Sequence, residues 1–241
     1  MSEREKVVIV SLHKTGTTSV ANFLEDLGYL VTGPDTNLYY DVMQGKYENV
    51  DSFLSKYDAF QDDPWYKIYP YTSERYPNAK FIFLEREETS WLESVQKFYG
   101  SDRFNNKVRH DFYGATNTIA NGKMYIDKYR SHREDVFRFF ESADNFISID
   151  VRKDADAIRL QDFLGLSVKF SHFPHANKTP MTKAEVDAAK KKRYIRSYFG
   201  LNKVVKKVLK AVFGYERYIA MRSAIRLRRA KFRVLKKRIF K

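Results

Sequence analysis

The stretch that decides the fold covers residues 6–29 and reads KVVIVSLHKTGTTSVANFLEDLGY. Residues 6–12 form a short β-branched run without polar alternation, which is typical of a strand buried on both faces of a parallel sheet. A loop of small residues follows at residues 13–19. The next apolar residues recur at helical spacing, and Gly28 suits the position just after a helix end. The predicted order is therefore strand, loop, helix.

Two further segments repeat this order. Residues 80–85, KFIFLE, and residues 145–151, NFISIDV, are predicted to be buried strands. A helix around Trp91 follows the first, and a helix at residues 155–164 follows the second. Strands that alternate with helices indicate parallel βαβ units, so the sequence predicts an α/β fold. Further helices are predicted at residues 42–57 and 122–140.

The composition is that of an ordinary folded protein. Its 241 residues correspond to one large α/β domain, or to one domain with an appendage. Hydrophobic residues make up 43%, which supplies a core and excludes global disorder. The absence of cysteine excludes a disulfide framework, a cysteine nucleophile and a thiolate metal site. No apolar run reaches about 18 residues and no secretory signal pattern is present, so we expect a cytoplasmic protein.

The net charge of +14 is distributed unevenly along the chain. Residues 190–241 contain 20 lysines and arginines and a single acid, Glu216, which gives this part a balance of +19. The preceding 189 residues contain 24 basic and 29 acidic side chains, so the body is slightly acidic. We therefore predict a domain at residues 1–180 and a basic tail at residues 181–241, with separate functions.

The loop after the first strand has the chemistry of an anion site. The first N–H groups of a helix point outward, and the helix dipole favours negative charge there. Lys14 adds a full positive charge, and Gly16 lets a phosphate approach the backbone closely. The loop hydroxyls belong to Thr15, Thr17, Thr18 and Ser19. The Walker signature of magnesium-dependent ATPases is absent, because here the lysine precedes the glycine. The alternative interpretation is a strand-to-helix turn that is rich in threonine for structural reasons alone.

At these residues the sequence resembles the sulfotransferases that use 3′-phosphoadenosine-5′-phosphosulfate (PAPS), in particular their bacterial and carbohydrate-type branch. The 5′-phosphosulfate loop of that family reads Pro-Lys-Ser/Thr-Gly-Thr-Thr, and residues 13–18 read HKTGTT. The family's second motif is an arginine at a strand end and a serine eight residues later, which together hold the 3′-phosphate. Arg86 and Ser94 match this motif, and the likeness covers residues 5–180.

The resemblance implies a P-loop-type parallel sheet flanked by helices, with the basic tail as a C-terminal helical extension. It also implies sulfuryl transfer from PAPS without a metal ion, in which Lys14 stabilises charge on the leaving group. The implied cofactor-binding residues are Lys14, Thr15, Gly16, Thr17, Thr18, Ser19, Arg86, Ser94 and Lys178. Because carboxylates repel a phosphate, a site at Arg86 requires the flanking Glu85, Glu87 and Glu88 to point away from it.

The acceptor of such a reaction needs a general base within hydrogen-bond reach. In the family the base follows the second core strand, and here that region contains Asp62 and Asp63. Adjacent residues at a strand end point to opposite sides, so only one of them faces the sulfate. We favour Asp63 as the catalytic base, because Pro64 favours an extended conformation at that position. His13 is a further candidate unless it packs under the loop. The alternative is that both acids cap the following helix.

The expected acceptor is a hydroxyl of a sugar or glycolipid, since the many tyrosines and Trp65 could line a cleft with aromatic platforms. Two other functions stay open at the level of sequence. One is a P-loop kinase that uses ATP and magnesium. The other is a catalytically inert fold that binds membranes or nucleic acid.

The basic tail contains two amphipathic basic segments, at residues 201–213 and 220–241. We interpret residues 201–241 first as helices attracted to an anionic membrane surface, which puts a peripheral enzyme at the inner face of the membrane. A second interpretation is docking onto the acidic body or onto another copy of the chain. Nucleic-acid binding comes last, because the tail has no reader motif.

Overall fold

The computed structural model describes residues 4–100, 107–174 and 211–239 of the chain. Within these residues five parallel strands form one sheet: β1 (Val7–Ile9), β2 (Val31–Thr32), β3 (Ala59–Phe60), β4 (Lys80–Leu84) and β5 (Phe146–Ile149). Their order in the sheet is β2-β3-β1-β4-β5, so the first strand is central. The prediction of an α/β fold with a parallel sheet flanked by helices is confirmed.

The central strand shows why the decisive stretch folds as it does. β1 pairs in parallel with β3 on one side and with β4 on the other. Val7, Val8 and Ile9 are completely buried, as expected for a strand that has helices on both faces. Burial of such a side chain contributes about 1.5–3 kcal/mol to stability, so this short run fixes the centre of the sheet.

Eight helices of the body accompany the sheet in the described residues. They are α1 (Thr17–Asp26), α2 (Thr36–Met43), α3 (Glu48–Leu54), α4 (Tyr69–Arg75), α5 (Glu88–Tyr99), α6 (Lys107–Tyr113), α7 (Gly122–Phe139) and α8 (Asp154–Phe163). The single helix predicted at residues 42–57 is wrong. A turn separates α2 from α3, and Gly45 in that turn has a φ of 71°, a conformation in which glycine commonly ends a helix.

Two apolar clusters cover the sheet and thereby position the loops at its edge. In the first, α1 and α8 pack against the sheet through residues such as Phe23 and Leu160. In the second, α5 and α7 pack together through Trp91, Tyr125 and Tyr129. The helix that follows each predicted strand is thus held by its own apolar face.

The contacts within the chain divide it into two compact units, one formed by residues 1–177 with 230–241 and the other by residues 178–229. The last helix, α9 (Tyr215–Ile239), provides the basic helical extension that the sequence predicts. The prediction of a domain boundary at residue 180 stays a prediction, and residues 201–210 of the first amphipathic segment lie outside the described residues. No helix among the described residues is both long and apolar enough to cross a membrane.

The end of α9 lies against α1 within the first unit. Nε of Arg233 donates a hydrogen bond to Oε1 of Glu25 over 2.6 Å, and Nζ of Lys237 lies 3.4 Å from Oδ1 of Asp26. Glu25 is buried under this contact. This part of the basic tail therefore docks onto acidic residues of the body, the arrangement that the second interpretation of the tail describes.

Candidate functional site

The residues singled out from the sequence meet at one end of the sheet. Because the strands are parallel, their carboxyl ends lie along the same edge. This edge carries the loop after β1, Asp62 after β3, Arg86 after β4 and Asp150 after β5. Ligands of open α/β sheets bind outside the carboxyl ends of the strands, so this edge is the candidate site.

The loop between β1 and α1 takes its shape from two residues with left-handed backbone. Lys14 has a φ of 68° and Gly16 a φ of 112°. A Cβ atom at position 16 would lie 2.7 Å from Cγ2 of Val151, so only glycine fits where the loop approaches the segment after β5. Nζ of Lys14 lies 4.3 Å from the ring centroid of Phe98 in α5, a cation–π contact.

The four loop hydroxyls differ in direction. Oγ1 of Thr15 donates to the carbonyl of Leu12 over 2.7 Å and is buried, so it stabilises the loop from within. The hydroxyl of Thr17 is hydrogen-bonded to the carboxyl of Asp62. Thr18 and Ser19 are half-buried. The N–H of Ser19 donates to the carbonyl of Gly16 over 2.9 Å, whereas by helix geometry those of Thr17 and Thr18 have no acceptor inside the helix, so the loop retains donors for an anion.

Arg86 lies directly beside this loop. Its Nη1 donates to the carbonyl of Lys14 over 2.6 Å, which joins two residues 72 positions apart in the sequence. Its Nε and Nη2 donate to Oγ of Ser90 over 3.4 and 3.1 Å. Ser94, the serine of the sequence motif, lies one turn further along α5 and is buried. The structure thus brings Lys14 and Arg86 into one site, with Ser90 as the hydroxyl partner of the arginine.

The three glutamates around Arg86 are each engaged elsewhere. Oε1 of Glu85 accepts from Nη2 of Arg133 over 3.0 Å, and Oε2 of Glu88 accepts from Nη2 of Arg130 over 2.6 Å. The carboxylate of Glu87 accepts from two backbone N–H groups and caps α5. Glu85 and Glu88 are therefore paired with other arginines, whereas the carboxylate of Glu87 remains within electrostatic range of Arg86.

A second arginine adds positive charge beside Arg86. Arg152 follows β5, and its guanidinium donates to both oxygens of Asp150 at 2.9 and 2.7 Å. Burial, and then the charge of Arg152, lower the pKa of Arg86 from its ordinary value. Since like charges repel, an anion between the two arginines would stabilise both. The carboxylate of Asp150 offsets part of this positive charge, because it pairs with Arg152 and also acts on Arg86.

Asp62 and Asp63 lie together in the turn after β3 but have different partners. Asp62 has a φ of 60°, and its carboxyl is bonded to Thr17, while its buried Oδ1 has no hydrogen-bond partner in the described part of the chain. Oδ1 of Asp63 accepts from the hydroxyl of Tyr66 over 2.7 Å. The helix-cap interpretation is wrong, because α4 begins only at Tyr69 and shows no side-chain cap.

The two carboxyls also differ in their electrostatics. Burial raises the pKa of Asp62 to about 7, and the carboxylate of Asp63 adds to this rise, whereas the bond from Thr17 and the charge of Lys14 oppose it. Burial raises the pKa of Asp63 as well, against the effects of Tyr66 and Arg109. Asp62 is bonded to Thr17 of the loop, whereas Asp63 is bonded to Tyr66. Asp62, rather than the Asp63 favoured from the sequence, is therefore the acid in contact with the loop.

His13 is enclosed by aromatic rings. It makes edge contacts with Tyr99 and Tyr113 at centroid distances of 5.1 and 5.6 Å, and its carbonyl accepts from Nε1 of Trp91 over 2.9 Å. Burial, and then the charge of Lys14, lower the pKa of the His13 ring to about 3. The ring is therefore neutral at physiological pH, which favours the interpretation that it packs under the loop.

Three residues of this site were not identified from the sequence. Ser90 had a usable signal, since four residues separate it from Arg86, and so did Arg152, which directly follows a predicted strand. Arg109 is buried with its guanidinium carbon 4.2 Å from the ring centroid of Tyr99, and it belongs to no motif.

Two further sequence predictions concern Lys178 and the absence of a metal ion. Lys178 lies outside the described residues. Among the residues that the structure describes, no group of three or more histidine, aspartate or glutamate side chains is arranged to hold a metal ion.

The chain is similar to several known proteins. The crystal structure of a sulfotransferase from Alicyclobacillus acidocaldarius is 15% identical, covers 81% of this chain and 94% of that chain, and has a TM-score of 0.49. The crystal structure of a mouse sulfotransferase complexed with PAP is 13% identical, covers 70% and 62%, and has a TM-score of 0.43. No curated protein sequence matches the chain. The family model of the sulfotransferase domain matches residues 6–182, and the chain therefore belongs to the sulfotransferase family.

Proposed function

We propose that the protein transfers a sulfuryl group from PAPS to a hydroxyl of a sugar or glycolipid. The observation that carries the proposal is the hydrogen bond from Arg86 to the carbonyl of Lys14. It brings the cationic loop and a separate cationic group within the span of one nucleotide. PAPS has anionic groups at both its 5′ and 3′ positions, whereas ATP has no 3′-phosphate.

Different cationic side chains bind the two anionic ends of the nucleotide. Lys14 and the first-turn N–H groups of α1 bind the 5′-phosphosulfate, and Thr18 adds a hydroxyl. Arg86 and Ser90 bind the 3′-phosphate, because a guanidinium offers a planar fork of donors to phosphate oxygens. Arg152 adds charge at the same place. Ser94 and Lys178 are assigned to the nucleotide by the family resemblance alone.

The reaction is an in-line displacement at sulfur. The acceptor oxygen bonds to sulfur while the bond from sulfur to the bridging oxygen of the phosphosulfate breaks. Negative charge grows on that bridging oxygen, and the ammonium group of Lys14 stabilises it there. The charge of Lys14 supplies this stabilisation without a metal ion.

Asp62 takes the proton of the acceptor hydroxyl. Its bond to Thr17 fixes it against the loop, and Oδ1 has no protein partner among the described residues, so it can accept from a ligand. The pKa of about 7 suits a general base at neutral pH. Asp63 accepts a hydrogen bond from Tyr66, and its negative charge helps to raise the pKa of Asp62.

An acceptor with a sugar unit fits the side of the site around Asp62. Aromatic rings surround this region, with Tyr66, Tyr99 and Tyr113 close to the acid pair. Tyrosines offer an apolar platform and a polar tip, which suits the mixed surface of a sugar ring.

The nucleotide preference tests the proposed function. Purified protein is titrated by calorimetry with adenosine 3′,5′-bisphosphate (PAP) and with ATP plus magnesium. We expect PAP to bind at least about 100-fold more tightly, because two charge-assisted contacts to its 3′-phosphate are lost with ATP. A preference for ATP would refute the sulfotransferase proposal in favour of a kinase, and binding of neither would favour an inert fold.

We further propose that α9 brings this cytoplasmic enzyme to the anionic inner face of a membrane. Phe232 and Leu235 are 66% and 53% exposed, and the neighbouring Lys231 and Lys236 are exposed as well. Apolar side chains among lysines are attracted to an anionic lipid surface.

Flotation of the full chain with vesicles tests the location. We expect binding to vesicles of mixed phosphatidylserine and phosphatidylcholine, little binding to phosphatidylcholine alone, and a large loss in the double variant Phe232→Ser/Leu235→Ser. The matched control is Ile119→Ser, which removes an equally exposed apolar side chain from the body. Equal flotation of the double variant and the wild type would end the membrane proposal.

A further inference from the structure

Several buried polar atoms near Asp62 have no hydrogen-bond partner among the described residues. The hydroxyl of Tyr39 is one of them, although the side chain is completely buried. Oδ1 of Asp62 and Oε1 of Gln61 are two others. Buried polar groups in native proteins are almost always paired, so unpaired ones concentrated in a candidate site indicate the place of a ligand.

Backbone contacts hold these atoms in one region. The N–H of Gln61 donates to the carbonyl of Thr32 over 3.2 Å, and the N–H of Asp35 donates to the carbonyl of Asp63 over 2.9 Å. The segment that leads from β2 into α2 therefore lies against the turn that carries the acids. Asp35 caps α2, and the N–H of Tyr39 donates to the Asp35 carbonyl in the first turn of that helix.

The hydroxyl of Tyr39 lies within electrostatic range of Asp111 in α6 and of Asp63 in this turn. The flanking contacts of the ring are Tyr40, at a centroid distance of 5.9 Å, and Nζ of Lys67, 5.9 Å from the ring centroid. Tyr39 thus presents an unpaired hydroxyl on the acceptor side of the loop.

We propose that Tyr39 determines acceptor specificity by binding a second hydroxyl of the same molecule whose reacting hydroxyl is bound by Asp62. The acceptor class is therefore a polyol rather than a simple alcohol, an amine or a phenol. This inference rests on the proposed sulfuryl transfer and deepens it.

The chemistry of the two groups supports this division. Burial raises the pKa of Tyr39 to about 12, so the phenol stays protonated at neutral pH and can donate to an acceptor oxygen. A carboxylate oxygen of Asp62 accepts from the hydroxyl that reacts, and Oε1 of Gln61 can accept from another. A site with a buried hydrogen-bonding group discriminates strongly against a ligand that leaves that group unpaired.

Tyr71 shows what a purely structural tyrosine hydroxyl looks like, and it serves as the comparison for Tyr39. The hydroxyl of Tyr71 donates to Oδ1 of Asp51 over 2.8 Å, so its removal eliminates an existing bond. The hydroxyl of Tyr39 makes no such bond within the described residues. Tyr39→Phe should consequently unfold at the wild-type temperature or above it, while Tyr71→Phe should unfold lower.

The test uses pairs of acceptors that differ by one hydroxyl. PAP release from PAPS is measured for cyclohexanol and for cis- and trans-cyclohexane-1,2-diol, with the wild type, Tyr39→Phe and the control Tyr71→Phe. We expect the wild type and Tyr71→Phe to favour at least one diol about tenfold or more in kcat/KM, the effect of one hydrogen bond. Tyr39→Phe should reduce this ratio to about one without a change for cyclohexanol.

Three results overturn the inference. One is an equal diol preference in Tyr39→Phe and the wild type, another is no diol preference in the wild type, and the third is no transfer to any of the three compounds. PAP affinity, measured on the same samples, separates this failure from a failure of the proposed function. Tight PAP binding with any of these results rejects the role of Tyr39 alone, whereas loss of PAP binding rejects the sulfotransferase proposal itself.

Discussion

The β4–β5 side of the Lys14 loop and the β2–β3 side differ in charge and in partners. On the first side Arg86 and Arg152 lie next to one another, and every nearby glutamate is bound by another group. On the second side Asp62 and Asp63 lie next to one another, among aromatic rings and unpaired buried oxygens. One loop therefore separates a cationic half from an acidic half.

This difference teaches how one sheet edge can serve two ligands. Like charges that are held together are stabilised by a ligand of opposite charge or by a proton. The arginines suit a phosphate, and an acid whose pKa is about 7 can accept a proton near neutral pH, as a general base must do. The halves thus suit the nucleotide and the acceptor respectively, and the experiments below test whether that assignment holds.

Lys14 belongs to both halves, so its removal has the largest expected effect. We predict that Lys14→Ala lowers the rate of sulfate transfer by about 1,000-fold, because the charge on the leaving oxygen loses its main stabilisation. The matched control is Lys123→Ala, an exposed lysine paired with Asp127, and it should transfer at the wild-type rate. Comparable rates in the two variants, measured with radiolabelled PAPS, would contradict the assigned role.

Substitutions in the acid pair should have the next largest effect, and they distinguish the role of Asp62 from that of Asp63. We predict that Asp62→Asn lowers kcat by about 100-fold or more with PAP affinity retained, in the range for loss of a general base. Asp63→Asn, the matched control in the same turn, should lose about tenfold or less because its neighbour keeps the base function. The reverse ranking would return the role to Asp63, the residue that the sequence argument favours.

The pH dependence of the reaction tests the acidic half from another direction. Only the ionised form of Asp62 accepts a proton, so kcat/KM should rise with pH up to about 7, the raised pKa of Asp62, and then level off. Asp62→Asn should lack this rise. A profile that is flat between pH 5 and 8 in the wild type would show that Asp62 does not limit the rate.

The raised pKa of Asp62 also makes stability depend on pH, but in the opposite direction to activity. The pKa of Asp62 is raised above its ordinary 3.8 to about 7 in the folded state, so the folded protein binds more protons between these values than the unfolded chain. The contribution of this group to the free energy of unfolding therefore falls as the pH rises from about 4 to 7. Unfolding by urea across this range should show a smaller decline in Asp62→Asn than in the wild type.

The docked end of α9 lies outside both halves and should give the smallest effect. Arg233→Ala should lower the free energy of unfolding by about 1 kcal/mol or less, because Arg233 is partly exposed although its partner Glu25 is buried. Sulfate transfer should not change. The control is Arg138→Ala, whose pair with Asp135 is exposed on both sides and should be neutral within error. A loss of transfer in Arg233→Ala would link α9 to the site.

The sequence predicted the parts of the fold that consist of long apolar runs. β1, β4 and β5 lie within such runs, and the helices after them show clear helical spacing of apolar residues. β2 has only two residues, Val31 and Thr32, and exists because β3 offers a neighbouring edge. A strand so short has no periodicity of its own, so tertiary pairing decides it.

Some residues of the site could likewise be predicted from the sequence, and others could not. Lys14 was identified from a loop between a predicted strand and a predicted helix, and Arg86 from the resemblance to the second motif of the sulfotransferases. The preference between Asp62 and Asp63 could not be predicted, since it depends on a positive φ at Asp62 that a non-glycine residue rarely adopts. Tyr39 reaches the site through the packing of α2 against the turn, which no local pattern reports.

The central claim is that Arg86 recognises the 3′-phosphate of the nucleotide whose 5′ end is bound by the Lys14 loop. Calorimetric affinities for PAP and for adenosine 5′-monophosphate, which lacks the 3′-phosphate, test it in the wild type, Arg86→Gln and the control Arg130→Gln. The wild type and the control should favour PAP by about 100-fold, and Arg86→Gln should bring the two affinities within about tenfold. An undiminished preference for PAP in Arg86→Gln would contradict the claim.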